Sequence, residues 1–300
     1  MTDLSAFGSP GLPLVHSFMD VLELTRTNLT FDEWAKFVKS NAAVRQWRFF
    51  LSADPYTRWG LLKPKGYPGD ATLMDLAYGH TSVKALIDES GVLGREIYKY
   101  TSAAKQSESA RLRVQLLSDR LAQLAGTTVG SGVVSFASGH ARELELLSTN
   151  VKEKLGQFTA IDLDGESLKV AQSSALGMPF LSAQRNVITA DVSDLQPAGF
   201  VYSLGLFDYL TDYFAQRALQ KMWLLTKSGG CLVVANLAPD AANIGYCEAI
   251  MDWWMVTRNT DQMQALGDYL NETEPEISAI TVTRHGCFNY LEITRNTNVE

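Results

Sequence analysis

The spacing of apolar residues changes character near residue 130. Before it, Leu12–Thr25 and Phe31–Val44 carry apolar side chains at helical intervals, with Asn28 or Thr30 placed to cap the second segment. Ala53–Asp70 breaks that pattern with Pro55, Gly60, Pro64, Gly66, Pro68 and Gly69. It reads as a long loop, either a packed connector or a binding segment. Helical spacing resumes over Thr72–Tyr100, interrupted at Gly79 and Gly91. Ser109–Leu124 is amphipathic: Leu112, Leu116, Leu117, Leu121 and Leu124 fall on one side, and Arg111, Arg113, Gln115 and Arg120 largely on the other. Gly126–Gly132 is the best boundary, separating a helical domain over 1–126 from a second domain over 127–300.

Beyond that break, short β-prone runs alternate with helical ones. Val133–Phe136 enters the small-residue turn Ala137-Ser138-Gly139-His140-Ala141, and Arg142–Leu147 reads as the start of a helix. Further strands are expected at Phe158–Leu163, Asn186–Ala190, Val201–Leu206 and Cys231–Asn236. Helices are expected at Gly165–Leu176, capped by Asp164, at Tyr213–Lys227, stopped by Ser228-Gly229-Gly230, and at Cys247–Tyr269. Ile277–Thr283 and Cys287–Thr294 close the chain as a hairpin. The alternation predicts an α/β fold with an open sheet.

A strand, a tight small-residue turn and a helix start form the place where open α/β sheets bind ligands, because backbone N–H groups face outward there. The dinucleotide fingerprint would require glycine where Ala137 and Arg142 stand, so a pyrophosphate is disfavoured. S-Adenosylmethionine, which has no phosphates, fits a single-glycine turn. Asp162 ends the second strand about 20 residues beyond the turn, where a ribose-binding carboxylate falls. Asp191 follows the expected third strand, with the adenine amino group as its target. Each aspartate alone also reads as a cap or a solvated turn; their recurrence at successive strand ends favours a ligand.

The order V-V-S-F-A-S-G-H-A-R-E-L, A-I-D-L-D, T-A-D-V and L-T-K-S-G-G-C-L-V-V-A-N resembles the class I S-adenosylmethionine-dependent methyltransferases over about Val129 to Arg295. More narrowly, K-P-K-G-Y-P-G-D at Lys63–Asp70, the G-H-A-R-E-L turn and M-D-W-W-M-V-T-R at Met251–Arg258 resemble the bacterial group with enzymes forming 3-hydroxypalmitate methyl ester. The scaffold is similar to that of azetidine-2-carboxylate synthases. The resemblance implies a Rossmann-like seven-stranded sheet ending in an antiparallel hairpin, beneath an N-terminal helical lid. It implies S-adenosylmethionine held by Ala137, Ser138, Gly139, His140, Asp162, Leu163, Asp191, Val192 and Ser203, with Tyr67 and Asp70 covering its methionine end. Ala137 and Ala141 depart from the glycines that most members carry there.

Composition narrows the chemistry. A net charge of −7 disfavours a nucleic-acid surface, which needs clustered cations. Cys231, Cys247 and Cys287 are scattered among apolar segments, which points to core thiols rather than a disulfide framework or a metal site. No apolar run approaches a membrane span and the N-terminus has no basic-then-apolar segment, so a cytoplasmic enzyme is expected. No Ser/His/Asp, Cys/His or metal constellation is evident. Alkylation by a sulfonium requires none, because alignment and water exclusion are the main tasks.

A carboxylate acceptor needs no base, whereas a hydroxyl or amine must give up its proton. His140, Asp208, Tyr209 and Tyr213 are the groups to examine for that task. Trp254 and Arg258, four apart on an expected helix, pack together or clamp a substrate carboxylate. Three functions stay open: methyl transfer to a carboxylate or hydroxyl of a small acid in secondary metabolism, cyclisation of S-adenosylmethionine to azetidine-2-carboxylate with release of methylthioadenosine, and cofactor binding without turnover. The expected partner is a small molecule, not nucleic acid or membrane, and the oligomeric state is open.

Overall fold

The computed structural model describes residues 11–274 and 276–297. In chain order the elements are α1 (Gly11–Thr27), α2 (Phe31–Ser40), α3 (Ala42–Leu51), α4 (Pro55–Leu62), α5 (Ala71–Tyr78), α6 (Lys84–Glu89), α7 (Gly91–Ala103) and α8 (Lys105–Thr127), followed by β1 (Val133–Phe136), α9 (Thr149–Lys154), β2 (Phe158–Asp162), α10 (Gly165–Ser174), β3 (Phe180–Gln184) and β4 (Ala198–Ser203). The chain closes with α11 (Asp212–Leu224), β5 (Thr226–Leu237), α12 (Ile244–Ala249), α13 (Thr260–Thr273), β6 (Ile277–His285) and β7 (Phe288–Arg295). Two compact units result. One is helical and comprises residues through Arg111 with Ala241–Met255. The other holds the sheet and comprises Leu112–Asp240 with the residues from Val256 onward. The division falls inside α8, before the expected break at Gly126–Gly132.

The sheet runs β3-β2-β1-β4-β5-β7-β6. β1 pairs in parallel with both β2 and β4, so strand order reverses between β1 and β4. β7 is antiparallel to β5 and to β6. This is the seven-stranded sheet with a closing hairpin that the family resemblance implies. One face packs Val134, Phe136, Ile161, Val201, Leu232 and Val234 against Leu219, Met222 and Trp223 of α11 and Met263 and Leu266 of α13. Burial of such side chains contributes about 1.5–3 kcal/mol each.

In the helical unit, Thr30 caps α2 with a reciprocal Glu33 bond. Asn41 then ends α2 and caps α3, splitting the single helix expected over Phe31–Val44. Asp54 caps α4 with Pro55 at its first position, so Pro55–Leu62 of the expected Ala53–Asp70 loop is helical and Lys63–Asp70 is irregular. α12 belongs here because Tyr246 lies 2.7 Å from Thr57 Oγ1, and buried Glu248 accepts Trp34 Nε1 and Arg26 Nε, both at 2.7 Å.

Several expected boundaries move. The third strand is Phe180–Gln184, not Asn186–Ala190: Asn186 Oδ1 accepts Ile188 N at 2.9 Å and folds that segment into a turn. As an edge strand with only Ala183 buried, β3 shows no alternation to read. β4 ends at Ser203 rather than Leu206. Arg142–Leu146 is a 3-10 turn, and α9 starts only after Ser148, which caps it. β5 begins at Thr226; Ser228-Gly229-Gly230 bulges where its register against β4 jumps from Ala198–Thr226 to Phe200–Cys231. The single helix expected over Cys247–Tyr269 is α12 and α13 separated by irregular chain, in which Asp252 adopts a left-handed φ of 50°.

Candidate functional site

At the carboxyl end of β1 the chain turns through three left-handed residues, Ala137 (φ 52°), Gly139 (54°) and Ala141 (48°). Each alanine carries about 1–2 kcal/mol of backbone strain that glycine would avoid. The turn is held from β2: Ser138 N donates to Ile161 O at 3.2 Å, and Gly139 N donates to Asp162 Oδ2 at 2.8 Å. Asp162 Oδ1 accepts Asp164 N at 2.9 Å. Burial pushes the Asp162 carboxyl above its ordinary range, opposed by these backbone donors. A carboxylate carries more acceptor sites than these two bonds fill, so Asp162 can still receive ribose hydroxyls.

Ser138 Oγ is buried without a hydrogen-bond partner. Such an atom needs an explanation, and a polar ligand in the turn supplies one. Leu163, which follows Asp162 in the chain, is exposed. Asp191 is exposed on the loop after β3 and does not terminate a strand. Its carboxylate accepts Ser193 N at 3.0 Å and Ser193 Oγ at 2.8 Å, and the backbone donor is the main cause of its lowered pKa. Val192 points into the core, leaving only its backbone for a ligand. The carbonyl of His140 accepts Ser174 Oγ at 3.0 Å, which ties the turn to α10. The residues around the turn thus fit an adenosyl ligand. Ser203 does not offer its side chain: it is fully buried and its hydroxyl donates to Phe136 O at 2.9 Å, joining β4 to β1.

The turn after β4 is built differently. Phe207–Tyr209 is a 3-10 turn clamped by Arg258, only 1% exposed. The guanidinium donates to Phe207 O (3.0 Å), Leu210 O (2.7 Å), Asn236 Oδ1 (2.5 Å) and Asp212 Oδ1 (2.8 Å). Arg258 is therefore a buried scaffold rather than a substrate clamp, and it shares no helix with Trp254. Trp254 belongs to the helical unit, where its Nε1 donates to Asp252 Oδ1 at 3.0 Å. Asp208 is also inside, accepting Leu237 N at 2.6 Å and Asn236 Nδ2 at 2.9 Å; burial raises its pKa from 3.8 to about 6. Tyr209 and Tyr213 are exposed, the latter beneath the Arg217 guanidinium.

Tyr67 and Asp70 lie in the helical unit. Tyr67 is exposed on the Lys63–Asp70 loop, whereas buried Asp70 caps α5 and accepts Trp59 Nε1 at 2.9 Å. The carboxylate of Asp70 is committed to that cap. The structure also brings together residues the sequence pattern did not single out as a site. Glu143 accepts the Tyr202 hydroxyl, and Arg113 donates to Leu204 O. Arg113, expected on the polar side of its helix, is buried instead, sharing a four-residue spacing with Leu117 and Leu121, whereas Leu112, expected on the apolar side, is exposed.

No group of His, Cys, Asp or Glu among the described residues is placed to hold a metal, and no helix among them is long and apolar enough to cross a membrane. No family model and no curated protein matches the chain. Solved structures do. A possible exported protein from Bordetella parapertussis matches with a TM-score of 0.60 at 19% identity, over 76% of this chain and 80% of its own. An O-methyltransferase family protein from Burkholderia thailandensis gives 0.48 at 14%, over 72% and 64%. The magnesium protoporphyrin IX methyltransferase of Synechocystis with bound S-adenosylmethionine gives 0.44 at 14%, over 63% and 83%. The first of these likenesses bears on the fold.

Proposed function

We propose that this chain is an S-adenosylmethionine-dependent methyltransferase that acts on a carboxylate or hydroxyl of a small acid in secondary metabolism. The observation that carries the reading is the pairing of the left-handed turn after β1 with Asp162 at the end of β2, beside the point where strand order reverses. When bound, S-adenosylmethionine supplies a methyl group already activated on a sulfonium. Asp162 holds the ribose, Asp191 the adenine amino group, and the Ser138 hydroxyl a polar edge of the ligand, the amides of Ser138, Gly139 and Ala141 being engaged within the protein. With Asp208 committed to the backbone of β5, Tyr209 and Tyr213 are the groups left to hydrogen-bond a hydroxyl acceptor. A carboxylate acceptor needs no proton removed.

The test is to incubate pure protein with S-adenosylmethionine, with and without a panel of small hydroxy and carboxylic acids, and to identify the nucleoside product. S-Adenosylhomocysteine formed only with an acceptor is expected. Methylthioadenosine formed without an acceptor would replace methyl transfer by ring closure. Binding without turnover across a broad panel would leave a cofactor-binding protein.

A further inference from the structure

The loop between β3 and β4 carries Asp191, and its main chain is held from outside by two cations. Lys221, on α11, donates from its ammonium to Ile188 O at 2.6 Å and to Ala190 O at 2.5 Å. Arg185, directly after β3, donates through Nη1 to Asp191 O at 2.8 Å. Its two terminal nitrogens also grip Asp194, Nη1 to Oδ1 at 2.6 Å and Nη2 to Oδ2 at 2.5 Å. The backbone N–H of Arg185 donates to Asp162 O at 2.8 Å, so this clamp starts beside the ribose carboxylate. The carbonyls of Ala190 and Asp191 belong to the peptide planes on either side of the Asp191 Cα, and holding both planes fixes its φ and ψ. Ser193 then fixes the side chain, donating its N–H to Oδ1 at 3.0 Å and its hydroxyl to Oδ2 at 2.8 Å.

The core contacts of the loop come from Val187, Val192 and Leu195, whereas Asp191 itself is exposed. Bonds from long cationic side chains to a surface loop add little stability, because side-chain entropy is lost and water serves the same carbonyls. The same restraint benefits a ligand, since an acceptor already oriented loses no freedom on binding. Each Asp191 oxygen keeps acceptor capacity beyond its one bond to Ser193. We infer that Lys221 and Arg185 are positioning residues for base recognition. They act through Asp191, holding its carboxylate where it accepts the exocyclic amino group of adenine and rejects a base with an oxo group there. The inference rests on this chain binding S-adenosylmethionine with Asp191 at the adenine.

S-Adenosylhomocysteine and S-inosylhomocysteine differ at that point of the base: one presents an amino donor, the other an oxo acceptor that repels a carboxylate. The ratio of their dissociation constants, from titration calorimetry on the full chain, reads the orientation of Asp191 and is unmoved by a general loss of stability. Wild type is expected to prefer S-adenosylhomocysteine about 30-fold, and Asp191→Asn, which can donate to the oxo group, to bring the ratio within about threefold of unity. Lys221→Met and Arg185→Gln should each lower the ratio about fivefold, with Lys221→Arg keeping most of it. Arg185→Gln acts on the opposite flank and keeps the test available should Lys221→Met fail to fold. A ratio that stays at the wild-type value in either variant, even with both ligands weakened, removes that residue from the role and leaves Asp191 at the adenine. Equal wild-type affinity for the two ligands removes the Asp191 assignment and the inference with it. Wild-type protein that binds neither overturns the cosubstrate reading itself.

Discussion

The turns after β1 and after β4 leave neighbouring parallel strands, yet they are stabilised by opposite means. The first is a main-chain construction: three left-handed residues, two backbone donors to β2, and side chains that are half-buried from Ala137 to His140. The second is held from inside by the side chain of Arg258, which arrives from beyond β5 and donates to two carbonyls, an amide and a carboxylate. A turn made of its own backbone keeps its side chains available for a ligand. A turn held by a buried side chain has committed those partners to the fold.

Removing Arg258 should break the second turn hardest. Arg258→Ala leaves three buried acceptors unmatched, Asp212 being itself exposed, and is expected to cost about 3 kcal/mol or more in urea unfolding at about 1–3 kcal/mol per buried group, with Arg258→Lys recovering only part. Retained stability in Arg258→Ala would mean that the turn after β4 holds itself, as the first does.

The same turn should titrate. Asp208 has a folded pKa of about 6 against an ordinary 3.8, so its contribution to stability is fully present below pH 3.8 and is lost as pH rises through 6. That loss is expected to amount to about 3 kcal/mol, and Asp208→Asn should flatten this part of the stability profile. Parallel profiles for wild type and variant would remove Asp208 as the source.

In the first turn the expected loss is of ligand rather than of fold. Asp162→Ala should weaken S-adenosylhomocysteine about 100-fold by calorimetry, while Asp162→Asn, which keeps one acceptor, should lose less. An unchanged affinity would take the ribose away from Asp162. The smallest effect is at the strained alanines: Ala141→Gly should shift stability by less than about 1 kcal/mol, relief of strain being offset by chain entropy, whereas Ala141→Val should destabilise measurably. A thermal melt distinguishes the two.

This contrast also explains which parts were legible in the sequence. Val133–Phe136, the small-residue turn and Asp162 are local signals, because strand propensity, turn chemistry and a carboxylate at a strand end all act over a few residues. The cap residues Thr30, Asp164 and Asn259 act over three residues; Asp164 is legible as a cap in the sequence, and Thr30 is one of two candidates there. Asp208 reads as a candidate site group, and Arg258 as either a packing partner of Trp254 or a substrate clamp, because polar residues near aromatic ones look functional in one dimension. Their partners lie twenty or more positions away, and those partners turn both residues inward.

By itself the sequence determined the alternation of strands and helices, the turn after β1 with its acids, and the closing hairpin, since each depends on contacts along the chain. Only the tertiary structure decided that β3 is Phe180–Gln184, that Ala241–Met255 joins the helical unit, and that Arg113, Glu143 and Asp208 share the carboxyl edge of the sheet. An edge strand, a segment exchanged between units and a buried charge have no local signature. Each is settled by which surfaces and partners the rest of the fold presents to it.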